Sequence, residues 1–425
     1  MTRTRRLFVS AALALALVTA TPPMLAADAL LGAASPAALG FSPERLARID
    51  QFIDAEIAAQ HKAGAVVLLA RHGKVAYFKA YGAAELASGR AMRTDDYFRL
   101  WSMTKPVASV ALLTLYEQGK FRLSDPLAKY LPAFDKVRIY AGTDAHGEPS
   151  YEEPVRPITM QDVMRHTAGF VYSYFDNTAV DIAYRAAGID YQKMDSAQAL
   201  TDKIATMPLL YQPGTRWVYS FSHDVQAYLV EYFSGMRFDA YCRKVIFEPL
   251  GMRDTFFGAP PERRARFAET YMAGPDGGLA VTKLAGEKED VYRHFTDHPF
   301  GGAGLSSTPM DYLRFAQMLL NDGELGGKRI LGRKTVELMT ADNLPPGVSS
   351  DPGTGYGLGV WVLNNPALAG NLGSVGQFGW GGIATTYVVI DPKEQLVALL
   401  FAQYTPIDHR FIDPWVTLVY QALAP

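Results

Sequence analysis

Two residues three positions apart, Ser102 and Lys105, have the chemistry of a nucleophile and its base. On an α-helix, positions i and i+3 lie on one face, so the Lys105 amine can reach the Ser102 hydroxyl and take its proton. Pro106 indicates that a helix begins here, because proline is tolerated only near a helix start, and Gly119 indicates its end. The residues between them are apolar on nearly every face. The pattern predicts a buried central helix with Ser102 at its positive end, where backbone amides also favour an oxyanion.

A Ser-x-x-Lys string alone is weak evidence, because a helix cap beside a solvated lysine produces the same pattern. Further segments strengthen it: Trp101 to Ser109, then His166-Thr167-Ala168-Gly169, then Tyr219-Ser220, and finally Trp380-Gly381-Gly382. In order and rough spacing these segments resemble the motifs of the serine β-lactamase-like superfamily, which includes class C β-lactamases, DD-peptidases and family VIII carboxylesterases. The resemblance runs from about Phe41 to the C-terminus, and in the details of its motifs it is greatest to the esterase branch.

The resemblance implies that Ser102, Lys105 and Tyr219 are the catalytic residues. Lysine and tyrosine both have reference pKa values near ~10, so a Lys105 that is neutral at pH 7 needs a shift of about three units, which burial and a helix N-terminus can supply. In the family the tyrosine of the second motif acts as general base or as a proton relay to the leaving group. The sequence leaves open which of the two residues holds the proton. The family also places an oxyanion hole at the backbone N–H groups of Ser102 and Ile383.

The expected substrate groove comprises Trp380, Gly381, Gly382, Phe221, Tyr172 and Asp224. Trp380 and Gly381 stand where β-lactamases and DD-peptidases of the superfamily usually have a lysine or histidine and a hydroxyl residue, which bind the substrate carboxylate. Phe221 stands where the family usually has asparagine. Asp224 is interpreted either as a helix-capping carboxylate or as a group that orients the lysine or tyrosine. His166 is interpreted as part of a structural turn, and His223 as a surface residue.

The fold class is predicted as α+β, with one antiparallel sheet built from both chain ends and flanked by helices. Strands are predicted at Ala65 to Ala70, Val75 to Ala80, Tyr356 to Leu363, Thr385 to Ile390 and Leu396 to Phe401. The middle of the chain is mostly helical with long loops, as at Tyr140 to Pro157. The predicted division is a signal peptide at 1–27, a sheet-plus-helices domain at 28–100 and 320–425, and a mostly helical domain at 101–319. The family resemblance implies the same layout, with the active site between the two parts.

Composition narrows the partners. The chain is 49% hydrophobic and 20% charged, with a net charge of −2, so neither nucleic acid nor an acidic membrane surface is expected. Basic residues followed by a short apolar core from Leu7 to Val18 predict a secretory signal, by the Sec or the Tat route, and hence a periplasmic or secreted protein. No later stretch is long enough to span a bilayer. Cys242 is the single cysteine, so no intramolecular disulfide can form. No cofactor or metal is expected.

The predicted function is therefore a secreted serine esterase that forms an acyl-enzyme on Ser102 and acts on a small-molecule ester. The alternatives on the same scaffold are a β-lactamase, a DD-peptidase or a D-aminopeptidase. A non-catalytic binding homologue is a third hypothesis, against which the intact set of Ser102, Lys105 and Tyr219 argues. The acyl group, the leaving group, the acceptor that completes deacylation and the oligomeric state stay open.

Overall fold

An antiparallel sheet of eight strands, drawn from both ends of the chain, organises the fold. The computed structural model describes residues 31–282 and 291–424, so the predicted signal peptide lies outside the described residues. The strands of this sheet are β1 (Gly64–Arg71), β2 (Lys74–Glu85), β3 (Arg90–Ala91), β4 (Thr354–Tyr356), β5 (Trp361–Leu363), β6 (Phe378–Gly382), β7 (Thr386–Asp391) and β8 (Leu396–Ala402). Their order across the sheet is β4-β5-β6-β7-β8-β1-β2-β3, and the neighbours are antiparallel.

Strand β1 joins the N-terminal and C-terminal strands, because it pairs with β2 on one side and β8 on the other. Its side chains alternate between two hydrophobic cores, with Val66 and Leu68 in one and Val67 and Leu69 in the other. Alternation of this kind buries a strand on both faces of a sheet. The prediction of an α+β fold with a sheet built from both chain ends is confirmed.

Five longer helices of the described residues flank the sheet or form the helical part. They are α1 (Pro43–Ala58), α2 (Thr104–Glu117), α3 (Ser222–Ser234), α4 (Pro309–Leu320) and α5 (His409–Gln421). Helix α1 begins at Pro43, where the Ser42 hydroxyl accepts a hydrogen bond from the Arg45 N–H and proline occupies the first turn. Helices α1 and α5 pack together, and residues of both belong to one of the two cores of the sheet. Helix α4 packs on β1, β7 and β8 of the large sheet. The domain boundary predicted between residues 319 and 320 places this helix in the helical domain.

The helical part is centred on α2, which packs against α3. Shorter helical segments are Met160–Met164, Ala179–Ala186, Ala197–Ile204, Phe238–Cys242, the π-helical Arg243–Phe247, Glu248–Leu250, Val291–Asp297, Arg333–Thr340 and Pro366–Ala369. Short 3₁₀ turns occur at Ala37–Leu39, Trp101–Met103, Leu127–Lys129, Pro132–Lys136, Tyr191–Lys193 and Pro261–Arg266. Across the described residues, no helix combines the length and the apolar character needed to cross a membrane.

Small sheets complete the fold. Phe98–Arg99, Leu305–Ser307 and Phe256–Phe257 form one, and the pairs Ile139–Thr143 with Pro149–Glu152, Tyr271–Ala273 with Leu279–Val281, and Glu324–Leu325 with Lys328–Arg329 form the others. The prediction of a long loop from Tyr140 to Pro157 was therefore wrong, because much of it is a hairpin. The predicted strand from Tyr356 to Leu363 is two strands joined by a turn. Gly359 lies in this turn at φ +96° against the Ser109 side chain, where a Cβ would collide.

Candidate active site

Ser102 lies in a 3₁₀ turn, Trp101–Met103, that leads directly into α2. The α-helix itself begins at Thr104, so the predicted first turn has a tighter geometry than expected. Trp101 has φ +49°, a conformation that is unfavourable for a large side chain. Its N–H donates to the Tyr292 hydroxyl at 2.6 Å, and the two rings pack edge to face. Tyr292 therefore supports the strained residue that precedes Ser102, and no sequence motif identified it.

The structure brings together the three residues predicted to be catalytic. The Tyr219 hydroxyl donates a hydrogen bond to Ser102 Oγ at 2.6 Å, and Lys105 Nζ lies 3.1 Å from the same oxygen. Lys105 Nζ is also 4.6 Å from the centre of the Tyr219 ring. The Lys105 side chain is buried in α2, with 1% of its surface exposed. Lys105 and Tyr219, the two candidate bases, thus both contact Ser102 Oγ.

The two candidates differ in protonation. Burial lowers the pKa of Lys105 to about 7, although the nearby Asp224 carboxylate opposes this shift. Burial raises the pKa of Tyr219 above its usual value. At neutral pH the amine is therefore available as a base, while the phenol keeps its proton. This arrangement favours Lys105 as the group that deprotonates Ser102 and Tyr219 as a donor.

Asp224 is connected to Lys105 through the backbone of Gly302. Lys105 Nζ donates to the Gly302 carbonyl at 2.7 Å, and the Gly302 N–H donates to Asp224 Oδ1 at 2.9 Å. The Tyr191 hydroxyl donates to the other carboxylate oxygen at 3.0 Å. Burial raises the pKa of Asp224 to about 6, against the influence of Lys105. These contacts match the interpretation of Asp224 as a group that orients the lysine.

The glycine-rich motif forms the opposite wall. Trp380, Gly381 and Gly382 lie at the end of β6 and line the groove beside Ser102. A Cβ on Gly382 would collide with the Leu100 carbonyl oxygen and with a side chain of β7, so only glycine allows this close approach. Ile383 comes next and, like Ser102, borders both cavities of the site. Ser102 and Ile383, whose N–H groups are expected to form the oxyanion hole, therefore border the same two cavities.

Two residues assigned to the groove lie elsewhere. Phe221 is completely buried and packs behind Tyr172, with the ring centres 4.3 Å apart, and it lines neither cavity. Asp224 is also completely buried and lines neither cavity. Tyr172 does line the smaller cavity. Tyr172, and not Phe221, therefore contributes its ring to the wall of that cavity.

His166 and His223 are both completely buried, which corrects the prediction of a surface position for His223. His223 Nε2 lies 3.2 Å from the Ser109 hydroxyl on α2. His166 accepts a hydrogen bond from the Ser220 N–H and packs against the Tyr219 ring at 5.1 Å. Burial holds the pKa of each imidazole well below its usual value, so both are neutral. His166 thus supports the segment that carries Tyr219.

Two cavities meet at Ser102, and Phe175, Tyr219 and Ile383 border both. The larger, the groove, has a volume of about 690 Å³ and is open to solvent. The smaller, the tyrosine pocket, has a volume of about 240 Å³ and is lined by Trp101, Ser102, Tyr172, Tyr174, Phe175, Asp190, Tyr191, Gln192, Tyr219, Val291, Gly302, Ala303 and Ile383. Within the described residues, no cluster of His, Cys, Asp and Glu side chains could hold a metal ion.

Comparison with protein families matches residues 49–421 to the family described as Beta-lactamase. The chain belongs to the beta-lactamase family. It is 31% identical over 357 residues to Esterase EstB of Burkholderia gladioli, covering 79% of this chain and 85% of that protein. It is 28% identical over 399 residues to a putative D-alanyl-D-alanine carboxypeptidase of Escherichia coli (strain K12), covering 88% and 85%. Among solved structures it resembles EstCE1, described as a hydrolase with promiscuous acyltransferase activity, at 25% identity and a TM-score of 0.76, covering 89% and 99%.

Membership of the beta-lactamase family and the site geometry agree. The family match spans the motifs that contain Ser102, Lys105 and Tyr219. The relatives named above include an esterase and a protein named as a putative carboxypeptidase, and both names denote hydrolases. The protein is a serine hydrolase of the β-lactamase/esterase family.

Proposed function

We propose that this protein is an exported serine esterase that cleaves small carboxylic esters through an acyl-enzyme on Ser102. The observation that carries the proposal is the charge of the groove. Among the described residues, no lysine or arginine lines the groove or the tyrosine pocket, and Lys105 is buried behind Ser102. The groove has Asp351 and Asp413 at its rim. Such a site disfavours a substrate carboxylate and accepts a neutral ester.

In the proposed reaction, Ser102 Oγ attacks the ester carbonyl while its proton passes to neutral Lys105. The negative charge on the carbonyl oxygen is stabilised by the N–H groups of Ser102 and Ile383. When the tetrahedral intermediate collapses, the bond to the alcohol oxygen breaks. Tyr219 donates its proton to that oxygen and regains one from Lys105. Water then attacks the acyl-enzyme, with Lys105 as the base, and free Ser102 and the carboxylic acid result.

The esterase proposal is favoured over the alternatives because β-lactams and D-alanyl peptides carry a carboxylate. In this protein Trp380, a neutral indole, faces the groove at the position where such substrates need a cation. His409 at the rim is hydrogen-bonded to Asp413, which raises its pKa, so any positive charge there is already paired. The likeness to Esterase EstB and to the hydrolase EstCE1 supports the same choice. The carboxypeptidase relative keeps peptide cleavage as the alternative.

The test compares p-nitrophenyl acetate and butyrate, a chromogenic cephalosporin and a D-Ala-D-Ala peptide as substrates of the wild type and of Ser102→Ala. We expect kcat/KM for the esters to be well above that for the cephalosporin, and all activity to be lost in Ser102→Ala. A fluorophosphonate probe should label Ser102 in the wild type, as shown by mass spectrometry of the adduct. Faster turnover of the cephalosporin or the peptide than of every ester would replace this proposal by the alternative.

Export is tested separately, because it rests on the first residues of the chain. Fusion of residues 1–27 to a reporter should direct it to the periplasm. Replacement of Arg5 and Arg6 by lysine should block export by the Tat route and leave export by the Sec route intact. A reporter that stays in the cytoplasm with the unchanged leader would contradict the export proposal without affecting the esterase assignment.

A further inference from the structure

The two cavities that meet at Ser102 offer separate places for the two halves of an ester. Phe175, Tyr219 and Ile383 border both cavities, so a carbonyl carbon held at Ser102 has one cavity on each side. We propose that the tyrosine pocket binds the acyl chain and the groove binds the alcohol. This assignment rests on the proposed function and adds the acyl-chain specificity to it.

The lining of the tyrosine pocket fits an apolar group. The hydroxyl of Tyr191 donates to Asp224, and the hydroxyl of Tyr174 accepts a hydrogen bond from the Tyr191 N–H at 3.0 Å. The hydroxyl of Tyr172 lies 3.3 Å from that of Tyr191. Because these polar atoms are occupied by protein partners, the rings present mainly carbon to the cavity. An alkyl or aryl chain is the chemistry that this surface binds.

The shapes of the two cavities indicate which one binds the acyl group and which one binds the alcohol. The acyl group stays attached to Ser102 while the alcohol leaves and water enters, so the more open cavity suits the alcohol. The groove is open and has a polar rim that includes Asp351, Asn371 and His409. The tyrosine pocket is narrower and is bordered by buried residues such as Tyr172, Tyr191 and Ala303. It therefore suits the half that remains bound.

The volume of the pocket sets a limit on the acyl chain. At roughly 30 Å³ per heavy atom, the volume share of one water in the liquid, a cavity of about 240 Å³ holds about eight heavy atoms. A misfit of one methylene in a hydrophobic pocket changes kcat/KM by about 10- to 200-fold. In a series of p-nitrophenyl esters, kcat/KM should therefore fall at least about 10-fold between the octanoate and the dodecanoate.

A matched pair of substitutions separates the two cavities. Ala303 lines the tyrosine pocket and Ala369 lines the groove. Ala303→Val narrows the pocket, and we expect the ratio of kcat/KM for the octanoate to that for the acetate to fall at least about 10-fold. Ala369→Val should leave this ratio within about twofold, because both esters release the same alcohol and any effect in the groove cancels. The ratio is independent of the fraction of correctly folded enzyme.

A third variant tests whether a larger tyrosine pocket increases the turnover of long-chain esters. Tyr174 borders the tyrosine pocket and is itself exposed, so Tyr174→Ala should enlarge the pocket and raise the ratio of dodecanoate to octanoate turnover. A misfolded protein cannot produce this gain. If Ala369→Val shifts the acyl profile and Ala303→Val does not, or if neither does, the assignment is overturned while the esterase proposal stands. If no ester is turned over in a Ser102-dependent manner, the proposed function itself fails.

Discussion

Replacement of Asp224 by asparagine should change the pH dependence of catalysis. The asparagine side chain is nearly isosteric with aspartate, and its amide oxygen can still accept from the Gly302 N–H. The Tyr191 hydroxyl can turn toward the Tyr172 hydroxyl, 3.3 Å away. The substitution therefore removes the negative charge with little loss of hydrogen bonding. That charge raises the pKa of Lys105, so its removal should lower this pKa further below about 7.

The size of the effect follows from the geometry. A carboxylate within ~4–6 Å shifts the pKa of a cation by about 1–3 units, and we take the lower end, ~1 unit, because the Gly302 backbone lies between Asp224 and the amine. Asp224 is mostly charged at pH 7, because its own pKa is about 6. At pH 7 about half of the Lys105 amines are neutral with a pKa of about 7, and about nine in ten are neutral with a pKa near ~6. At pH 7 the kcat/KM of Asp224→Asn, as a fraction of its own plateau, should thus be about twofold higher than in the wild type.

The assay is a profile of kcat/KM from pH 5 to 9 with p-nitrophenyl butyrate, followed at the isosbestic wavelength of the product. Asp311→Asn is the matched control, because Asp311 is also buried and its pKa is also raised to about 6, but its partner is Arg314 at 2.7 Å and it lines neither cavity. We expect the acidic limb of the kcat/KM profile of Asp311→Asn to lie at the same pH as in the wild type. A lower plateau for Asp224→Asn without movement of the limb would mean that Asp224 only positions Gly302. Movement to higher pH would refute the electrostatic reasoning.

Three other sets of substitutions give direct outcomes. Lys105→Ala and Tyr219→Phe should each lower kcat/KM for p-nitrophenyl butyrate at least about 10²-fold, and the double mutant should lose much less than the sum, since both act on Ser102 Oγ. Single mutants with near wild-type turnover would identify another base. Gly382→Ala should lower turnover by at least about 10² without unfolding the protein in circular dichroism, because its Cβ would displace the strand that precedes the oxyanion donor. Trp415→Ala, at a fully buried position of α5, should lower the free energy of unfolding in urea by about 3–5 kcal/mol, while the folded fraction keeps its activity.

Local patterns predicted the parts of the site that lie close together in the chain. Ser102 and Lys105 are three residues apart, so helical geometry alone places them together. Tyr219 is 117 residues from Ser102, and only the family resemblance placed it there. Phe221 and His223 were misplaced because a single sequence does not show which neighbours will cover a side chain. His223 is buried where α3 packs against α2, and Phe221 is buried behind Tyr172; both are tertiary contacts.

The sequence also left open whether Lys105 or Tyr219 deprotonates Ser102, for a related reason. The pKa values of Lys105 and Tyr219 are set mainly by the burial of each group, and burial is known only once the chain is folded. Residues 104 to 115 of α2 are all buried, and the lysine shares that environment. The apolar run that makes α2 the centre of the helical part therefore also lowers the pKa of Lys105. A polar residue that admitted water beside α2 would be expected to raise this pKa and to weaken the base, even without contact to the substrate.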